Sequence, residues 1–246
     1  MRLRLPDNSD REWILAAAKA IYQYAPAAVG LSNNEHYQIP LSEGQLQRLH
    51  GGDRADVYLV EIGQRRCCAK FFHDTRPLSY LKNLWGIGRA FSAYRNGVTV
   101  KKLGIACPAV LGVYMQGALA SPILIMELID GYQQINLVLE DWKTESADLA
   151  DSPRLAKLAM AFAQFTKNLH TNGVFHRDYS PRNVLMRESN GEFSFCLIDL
   201  EDVFFTGDSD KNIDHFKQRL PRYLSSRECA FFISHFNQQL TNSSIA

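Results

Sequence analysis

The hydrophobic period of this chain changes twice, and each change marks a different kind of structure. Trp13, Ile14, Ala17, Ile21 and Tyr24 form an apolar stripe at helical spacing. Ser9-Asp10-Arg11-Glu12 ahead of it reads as a capping box, and Pro26 ends it. Residues 27–45 read as an irregular connector. From Leu46 the period becomes two. Apolar alternation over residues 46–50, 55–62 and 65–72 predicts three strands, joined by Gly51-Gly52-Asp53-Arg54 and by a Gly63-Gln64 turn. A basic, partly helical stretch over 78–103 follows, then two more strands over 109–114 and 122–127. Asp130-Gly131 breaks this pattern, and the helical period returns beyond it.

Residues 141–151 read as a polar, acidic stretch. Ser152-Pro153 then supplies an N-cap and a first-turn proline. Leu155, Leu158, Ala159, Phe162, Phe165 and Leu169 line one face of a long helix that stops at Asn172-Gly173. Strands over 183–186 and 193–198 flank a turn at Asn190-Gly191, and the remainder reads as mostly helical. The expected class is α+β: an N-terminal helical extension (1–45), a β-rich lobe (46–129) and a small α-rich lobe (130–246).

Composition removes other classes. Of the 246 residues, 46% are hydrophobic and 22% charged, which suits a globular core and argues against disorder. A net charge of +1, from 27 Lys and Arg against 26 Asp and Glu, offers no bulk field for nucleic acid. No apolar run approaches the ~18 residues of a membrane span. The first ten residues carry no apolar signal core, so a cytoplasmic location is expected. Five cysteines without a C-x-x-C pair read as reduced core thiols, and Cys67 and Cys68 should face opposite sides of one strand. His36, His50, His73, His215 and His235 show no metal-ligand spacing.

The chemistry concentrates in Val174-Phe175-His176-Arg177-Asp178-Tyr179-Ser180-Pro181-Arg182-Asn183. This run resembles the H-R-D-x-x-x-x-N catalytic loop of the protein kinase fold. At that spacing Asp178 can take the proton of an attacking hydroxyl while Asn183 reaches Mg²⁺ on nucleotide phosphates. Asp199, at the end of the next apolar strand, suits a second Mg²⁺ ligand. Lys70, alternating with apolar residues in Cys68-Ala69-Lys70-Phe71-Phe72, suits the α- and β-phosphates of ATP. Taken singly, Asp199 is an ordinary strand-end aspartate and Lys70 a snorkelling edge lysine. It is the four in chain order that point to a kinase-like site. Gly51 and Gly52 stand where a kinase has its glycine-rich loop, with Val57 expected against the adenine. Glu127 and Leu128 stand where a kinase hinge binds the adenine edge.

A narrower resemblance is carried by Gly51-Gly52-Asp53-Arg54-Ala55-Asp56-Val57-Tyr58, by Leu81-Lys82-Asn83-Leu84-Trp85-Gly86-Ile87-Gly88-Arg89-Ala90, by Gly104-Ile105-Ala106-Cys107-Pro108-Ala109 and by Ile198-Asp199-Leu200-Glu201. Over roughly residues 46–220 the chain is similar to the lipopolysaccharide core kinases, the bacterial Kdo/heptose kinase family. The resemblance implies a protein-kinase-like bilobal fold. It also implies ATP- and Mg²⁺-dependent phosphorylation of an inner-core sugar hydroxyl on a glycolipid acceptor, at the cytoplasmic face of the inner membrane. The basic cluster Lys82, Arg89, Arg95, Lys101 and Lys102 reads either as a solvated helix face or as a peripheral contact with anionic lipid or phosphorylated sugar.

The chain also departs from the kinase pattern. No Glu occurs between Glu61 and Glu127, so the usual helix partner of the strand lysine is missing, and Asp74 is a candidate substitute. Ser180 replaces the lysine that serine/threonine kinases place two residues after the aspartate, and Arg182 is expected to supply that charge. Leu200-Glu201 replaces the Phe-Gly of D-F-G. Asp214 is a candidate brace for the catalytic loop, and reads equally as a solvated helix residue. Only 47 residues follow Asp199 and none forms Ala-Pro-Glu, so a compact acceptor is expected over a peptide. Two other classes stay open: a kinase of another acceptor (a protein or small molecule), and a non-catalytic nucleotide-binding regulator.

Overall fold

Apolar residues recurring through residues 46–50, 55–62 and 65–72, broken by glycine turns, favour strands that pair with one another, and the rest of the first unit is built on them. The computed structural model describes residues 2–4, 11–24, 38–41, 44–52, 54–73, 77–117, 120–146, 148–207 and 211–242. The capping residues Ser9 and Asp10, Pro26, most of the 27–45 connector, Asp53, Asp74 and Asp210 lie outside them. The chain divides into two units, one of residues 1–99 and 108–129, the other of 100–107 and 130–246.

The first unit runs β1 (Arg2–Arg4), α1 (Arg11–Tyr24), β2 (Gln38–Leu41), β3 (Gly44–Gly51), β4 (Ala55–Ile62), β5 (Arg65–Phe72), α2 (Pro77–Leu84), α3 (Arg89–Lys102, which crosses the unit boundary), β6 (Val110–Met115) and β7 (Ile123–Glu127). Its strands form one antiparallel sheet in the order β1-β6-β7-β5-β4-β3-β2. The pleat sorts its residues. Tyr58, Val60, Cys67, Ala69, Ile123 and Ile125 share a core with Ile14, Ala17, Ala18 and Ile21 of α1. The helix expected as a separate extension is therefore part of this unit's core, because its apolar stripe has the sheet to cover. Val57, Lys70 and Leu124 stand opposite one another in the register, one residue out of step with that core, and so occupy the other face. Cys67 and Cys68 divide between the two faces in the same way, and burial pushes the Cys67 thiol up.

The second unit runs β8 (Gln133–Gln134), α4 (Ile135–Glu145), α5 (Pro153–Thr171), β9 (Val174–His176), β10 (Val184–Ser189), β11 (Glu192–Leu197), β12 (Val203–Phe205), α6 (Lys211–Arg219) and α7 (Ser226–Asn242). Helix α5 starts at Pro153 after Ser152 and ends at Asn172, with Gly173 at φ +63°. Its buried face holds Leu155, Leu158, Ala159, Phe162 and Leu169. Phe162 is the hub of this core: it stacks on Tyr179 and contacts Phe195, Phe216 and Phe236, with ring centroids 4.4–6.1 Å apart. Part of the stretch read as polar, residues 141–145, closes α4, whose Ile135, Val138, Leu139 and Trp142 are buried. Two small sheets complete the unit: β11-β10-β8, and the β9–β12 pair in which His176 stands opposite Val203.

Candidate active site

In the second unit, β9 delivers the chain into a tight turn at residues 177–183, and each end of that turn is anchored. At its start, the buried amide of Asn212 on α6 makes two hydrogen bonds: His176 N donates to Oδ1 at 2.9 Å, and Nδ2 donates to the Val174 carbonyl at 2.7 Å. His176, fully buried, places Nε2 3.0 Å from the Ile198 carbonyl, and its Nδ1 accepts from the Asp178 amide at 3.2 Å. These partners require the neutral tautomer protonated at Nε2. The imidazole thus ties the 177–183 turn to the strand end that precedes Asp199. Below the turn, the buried Tyr179 hydroxyl lies 3.0 Å from Thr166 Oγ1 on α5. Burial pushes that phenol up, which keeps it protonated.

Asn183 closes the turn. Its Nδ2 donates to the Asp178 carbonyl at 2.7 Å and to Asp178 Oδ2 at 3.1 Å, and its carbonyl accepts from Ile198 N at 3.1 Å. The other carboxylate oxygen of Asp178, Oδ1, meets Arg219 Nη1 from the last turn of α6 at 2.5 Å. A hydrogen bond thus holds one oxygen of Asp178 and an ion pair the other. Arg182 is exposed, and the cation that the structure sets against Asp178 is Arg219. Ser180 is buried and its carbonyl accepts from Asn183 N at 2.9 Å. Asp214 lies on the exposed side of α6, so the brace expected of it belongs to Asn212. The sequence carried that signal: Asn212, Phe216 and Leu220 recur every four residues, and all three are buried.

Asp199 follows β11 with φ +57° and ψ +49°, a left-handed conformation that only Gly, Asn and Asp adopt readily. Its carbonyl accepts from Asp202 N at 3.0 Å, which turns the chain into the short 3₁₀ helix Leu200–Asp202. Asp202 in turn pairs with the Arg177 guanidinium and accepts from Arg177 N through its carbonyl at 2.9 Å. The segment after Asp199 is thereby fixed by a carboxylate of the chain itself and by the β9–β12 ladder.

A magnesium ion fits these residues by chemistry. Asp199 offers a carboxylate, and Asn183, whose nitrogen is taken up by Asp178, offers Oδ1. No group of three or more His, Cys, Asp or Glu side chains suited to a metal stands together among the described residues. One or two hard oxygen donors, completed by phosphate oxygens and water, is the set that Mg²⁺ takes in nucleotide sites.

In the first unit, Lys70 is 8% exposed, with its ammonium 5.5 Å from the centre of the Phe72 ring. Val57 is its direct cross-strand neighbour. The glycine-rich hairpin is held from beneath: Arg48 Nη2 donates to Asp56 Oδ1 at 2.7 Å, with both side chains about 5% exposed, and His73 Nε2 lies 3.2 Å from Asp56 Oδ2. A Cβ on Gly51 would fall 1.8 Å from the Arg48 guanidinium, so this glycine makes room for a buried arginine. Gly52 meets no such obstacle. Glu127 ends β7 with its amide donating to the Ala109 carbonyl at 2.8 Å and its carboxylate accepting from the Ala109 amide at 3.2 Å. Leu128, half-buried, follows it.

A sequence profile of the Lipopolysaccharide kinase (Kdo/WaaP) family matches residues 51–241, more than three quarters of the chain. The chain belongs to the Kdo/WaaP lipopolysaccharide kinase family. No curated protein is close enough in sequence to count as a match. Among solved structures, the chain is similar to WaaP in complex with acyl carrier protein, at 17% identity and a TM-score of 0.58, covering 100% of this chain and 92% of that one. It is also similar to the BubR1 kinase domain, at 16% identity and a TM-score of 0.46, over 79% of this chain and 60% of that one. The WaaP likeness agrees with the mixed α+β, kinase-like fold expected of a Kdo/WaaP member. Among the described residues no helix is long and apolar enough to cross a membrane.

Proposed function

We propose that this chain transfers the γ-phosphoryl group of ATP to a hydroxyl of a lipopolysaccharide inner-core sugar, Kdo or heptose, on a glycolipid at a membrane surface. Lys70, beside Val57, grips the α- and β-phosphates, and the Gly51-Gly52 hairpin and the Glu127-Leu128 segment take the rest of the nucleotide. Asp199 and Asn183 Oδ1 would hold Mg²⁺, which would neutralise phosphate charge. Asp178 orients the acceptor hydroxyl and accepts its proton as the bond between the γ-phosphorus and the β,γ-bridging oxygen breaks and the new bond to the acceptor oxygen forms; ADP leaves. Arg219 pairs with that carboxylate, and Arg182, exposed on the same loop, supplies positive charge to the transferred phosphate.

The observation that carries this reading is the Asp178–Asn183 pair. One side chain orients the base and presents a metal ligand, and the turn is anchored at both ends by buried groups. The constitutive Arg177–Asp202 pair supports an enzyme that needs no phosphorylation to order this segment, a task that regulated protein kinases give to a phosphate. The test is transfer of labelled phosphate from Mg-ATP to purified lipopolysaccharide core, read by mass spectrometry of the product. Asp178→Asn should lower turnover by ~10²–10⁴-fold and leave nucleotide affinity nearly unchanged. Phosphorylation of a protein or small molecule with none of the glycolipid would point to another acceptor. Nucleotide binding with no transfer to any acceptor would point to a regulator.

A further inference from the structure

The turn between α2 and α3 displays large apolar side chains where a water-soluble surface has no use for them. Leu78 is 62% exposed, Leu81 42%, Leu84 38%, Trp85 67% and Ile87 52%. Leu78, Leu81 and Trp85 recur at i, i+3 and i+7, the spacing of one helix face, while Asn83 on the other side is fully buried. The display is built into the backbone. Gly86, at φ +71°, donates to the Asn83 carbonyl at 3.0 Å, and Ile87 N donates to the Lys82 carbonyl at 2.9 Å. These two bonds make a Schellman motif, which normally brings the residue after the glycine onto the last turn of the helix; here those residues are Ile87 and Leu81. Arg95 Nη1 clamps the turn by donating to the Gly86 carbonyl at 2.5 Å. A Cβ on Gly88 would fall 1.7 Å from Asn83 Oδ1, so the turn also sits tightly on the helix it leaves.

Charge selects the occupant. From residue 75 to residue 126 the chain carries six Lys or Arg and no Asp or Glu. Lys82 and Arg95 flank the ridge and are exposed, and Arg89 begins the next helix. An apolar ridge with a tryptophan, flanked by cations within a stretch of sequence that holds no Asp or Glu, matches the interface of an anionic bilayer, where the ring lies at headgroup level and the lysine reaches the phosphates. The ridge is a projecting helix end and not a groove, and fluid lipid fits a projection without a pre-shaped partner.

We infer that the α2–α3 turn is an interfacial anchor, in which Leu78, Leu81, Trp85 and Ile87 enter the headgroup region of an anionic membrane and Lys82 contacts lipid phosphate. The surface stands on its own geometry; its use, to bring the enzyme to a glycolipid acceptor, rests on the kinase reading above.

The test uses the full chain and phosphatidylcholine vesicles with and without phosphatidylglycerol. Of the three tryptophans, Trp142 is buried and Trp13 is partly buried against the first unit's core, so Trp85 dominates any change in emission. Expected are co-sedimentation with anionic vesicles, a blue shift, and quenching by lipids brominated near the headgroup. Trp85→Ser with Ile87→Ser should weaken binding about tenfold or more. Lys82→Glu should weaken it on anionic vesicles alone, by roughly fivefold or more for the lost cation. Turnover on delipidated core oligosaccharide should be unchanged in both variants, since neither touches the proposed catalytic residues. Vesicle binding without any kinase activity would keep the anchor and overturn the kinase reading. Unshifted emission with anionic vesicles, wild-type vesicle binding by the double variant, a dimer dissolved by Trp85→Ser, or capture by a small acidic protein with no vesicle binding would each overturn the anchor.

Discussion

The glycine hairpin of the first unit and the catalytic loop of the second are both held by buried polar side chains, but with opposite chemistry. Beneath the hairpin lies an ion pair, Arg48 with Asp56, shielded from water and joined by His73. At the 177–183 loop the buried braces described above are neutral: the Asn212 amide, the His176 imidazole and the Tyr179–Thr166 hydroxyls. The difference follows from what each loop carries. On the reading proposed above the hairpin would offer only backbone to a nucleotide, and a net-neutral ion pair below it adds no net charge. The catalytic loop carries Asp178, with Arg219 against it and Asp199 beyond the neighbouring strand. Neutral braces there set no further charge of their own against Asp178.

The sharpest way to break this comparison is to remove one half of each brace. Arg48→Ala strands a buried carboxylate and Asp56→Ala a buried guanidinium, and either should destabilise the protein by ~3–5 kcal/mol in denaturant unfolding. The double variant Arg48→Met/Asp56→Leu should recover most of that loss, because the apolar pair leaves no charge unpaired. If the single variants unfold like wild type, the pair is not what holds the hairpin.

Removing the neutral brace should have a smaller effect on stability and a specific effect on chemistry. Asn212→Ala leaves the His176 amide and the Val174 carbonyl without their partner, at about 1–3 kcal/mol for each group. Asn212→Asp keeps an acceptor for His176 N but sets an oxygen against the Val174 carbonyl, and adds the charge that the neutral scaffold excludes. The aspartate variant should therefore lose turnover out of proportion to its loss of stability. Equal turnover per folded molecule in Asn212→Asp and wild type would remove the electrostatic half of the argument.

Gly51 sharpens the comparison from the backbone side. Gly51→Ala places a methyl group into the Arg48 guanidinium, so it should destabilise by ~1–3 kcal/mol as an overpacked site does. The same change at Gly52, which has ordinary space, should be tolerated far better. In an Arg48→Met/Asp56→Leu background the two glycine substitutions should become more alike. If they remain as different there as in wild type, Gly51 is required for a reason other than the arginine.

What was legible in the chain is what repeats locally. Strands β4 and β5 and their two-residue turn at Gly63-Gln64 follow from period-two alternation and one glycine, which the structure holds at φ +60°. Helix α5 follows from a proline start, six apolar positions and an Asn-Gly stop. The His176–Asn183 spacing singles out the turn that the structure closes with the Asn183–Asp178 hydrogen bonds. What was not legible depends on contacts distant in sequence. β1 joins the sheet by pairing Arg2 with Met115, which no local pattern contains. Helix α4 was partly hidden because residues 141–145 look acidic, although Trp142 packs inward. No local pattern pairs Arg48 with Asp56 on the neighbouring strand; the irregular register between Arg48 and His50 and the missing side chain at Gly51 let them meet away from water. Arg219 is 41 residues from the base it touches, and no spacing rule connects them.

Glu228, a buried carboxylate of the second unit, yields the smallest and most conditional effect. Glu228 sits at the third position of α7 in a capping box with Ser225: Ser225 N donates to Oε2 at 2.7 Å, and Glu228 N donates to Ser225 Oγ at 3.3 Å. Leu149 N donates to Oε1 at 3.0 Å, and Lys143 Nζ lies 3.4 Å from Oε2. Burial pushes this carboxyl up, but the hydrogen bonds from Leu149 and Ser225 and the nearby Lys143 ammonium outweigh it and hold it below the ordinary 4.5. The folded state thus favours the carboxylate. Its stabilising contribution is complete above the unfolded value and is lost as pH falls through the lower, folded value. Glu228→Gln keeps a good residue at this helix position and loses the charge-assisted bonds, so it should be about 1–2 kcal/mol less stable near neutral pH. Below about pH 4.5 the difference should shrink, because wild type gives up the same charge on its own. Unfolding curves of both proteins across that range decide it: a gap that stays constant with pH would mean that Glu228 caps the helix by shape and hydrogen bonding alone, and that its charge contributes nothing.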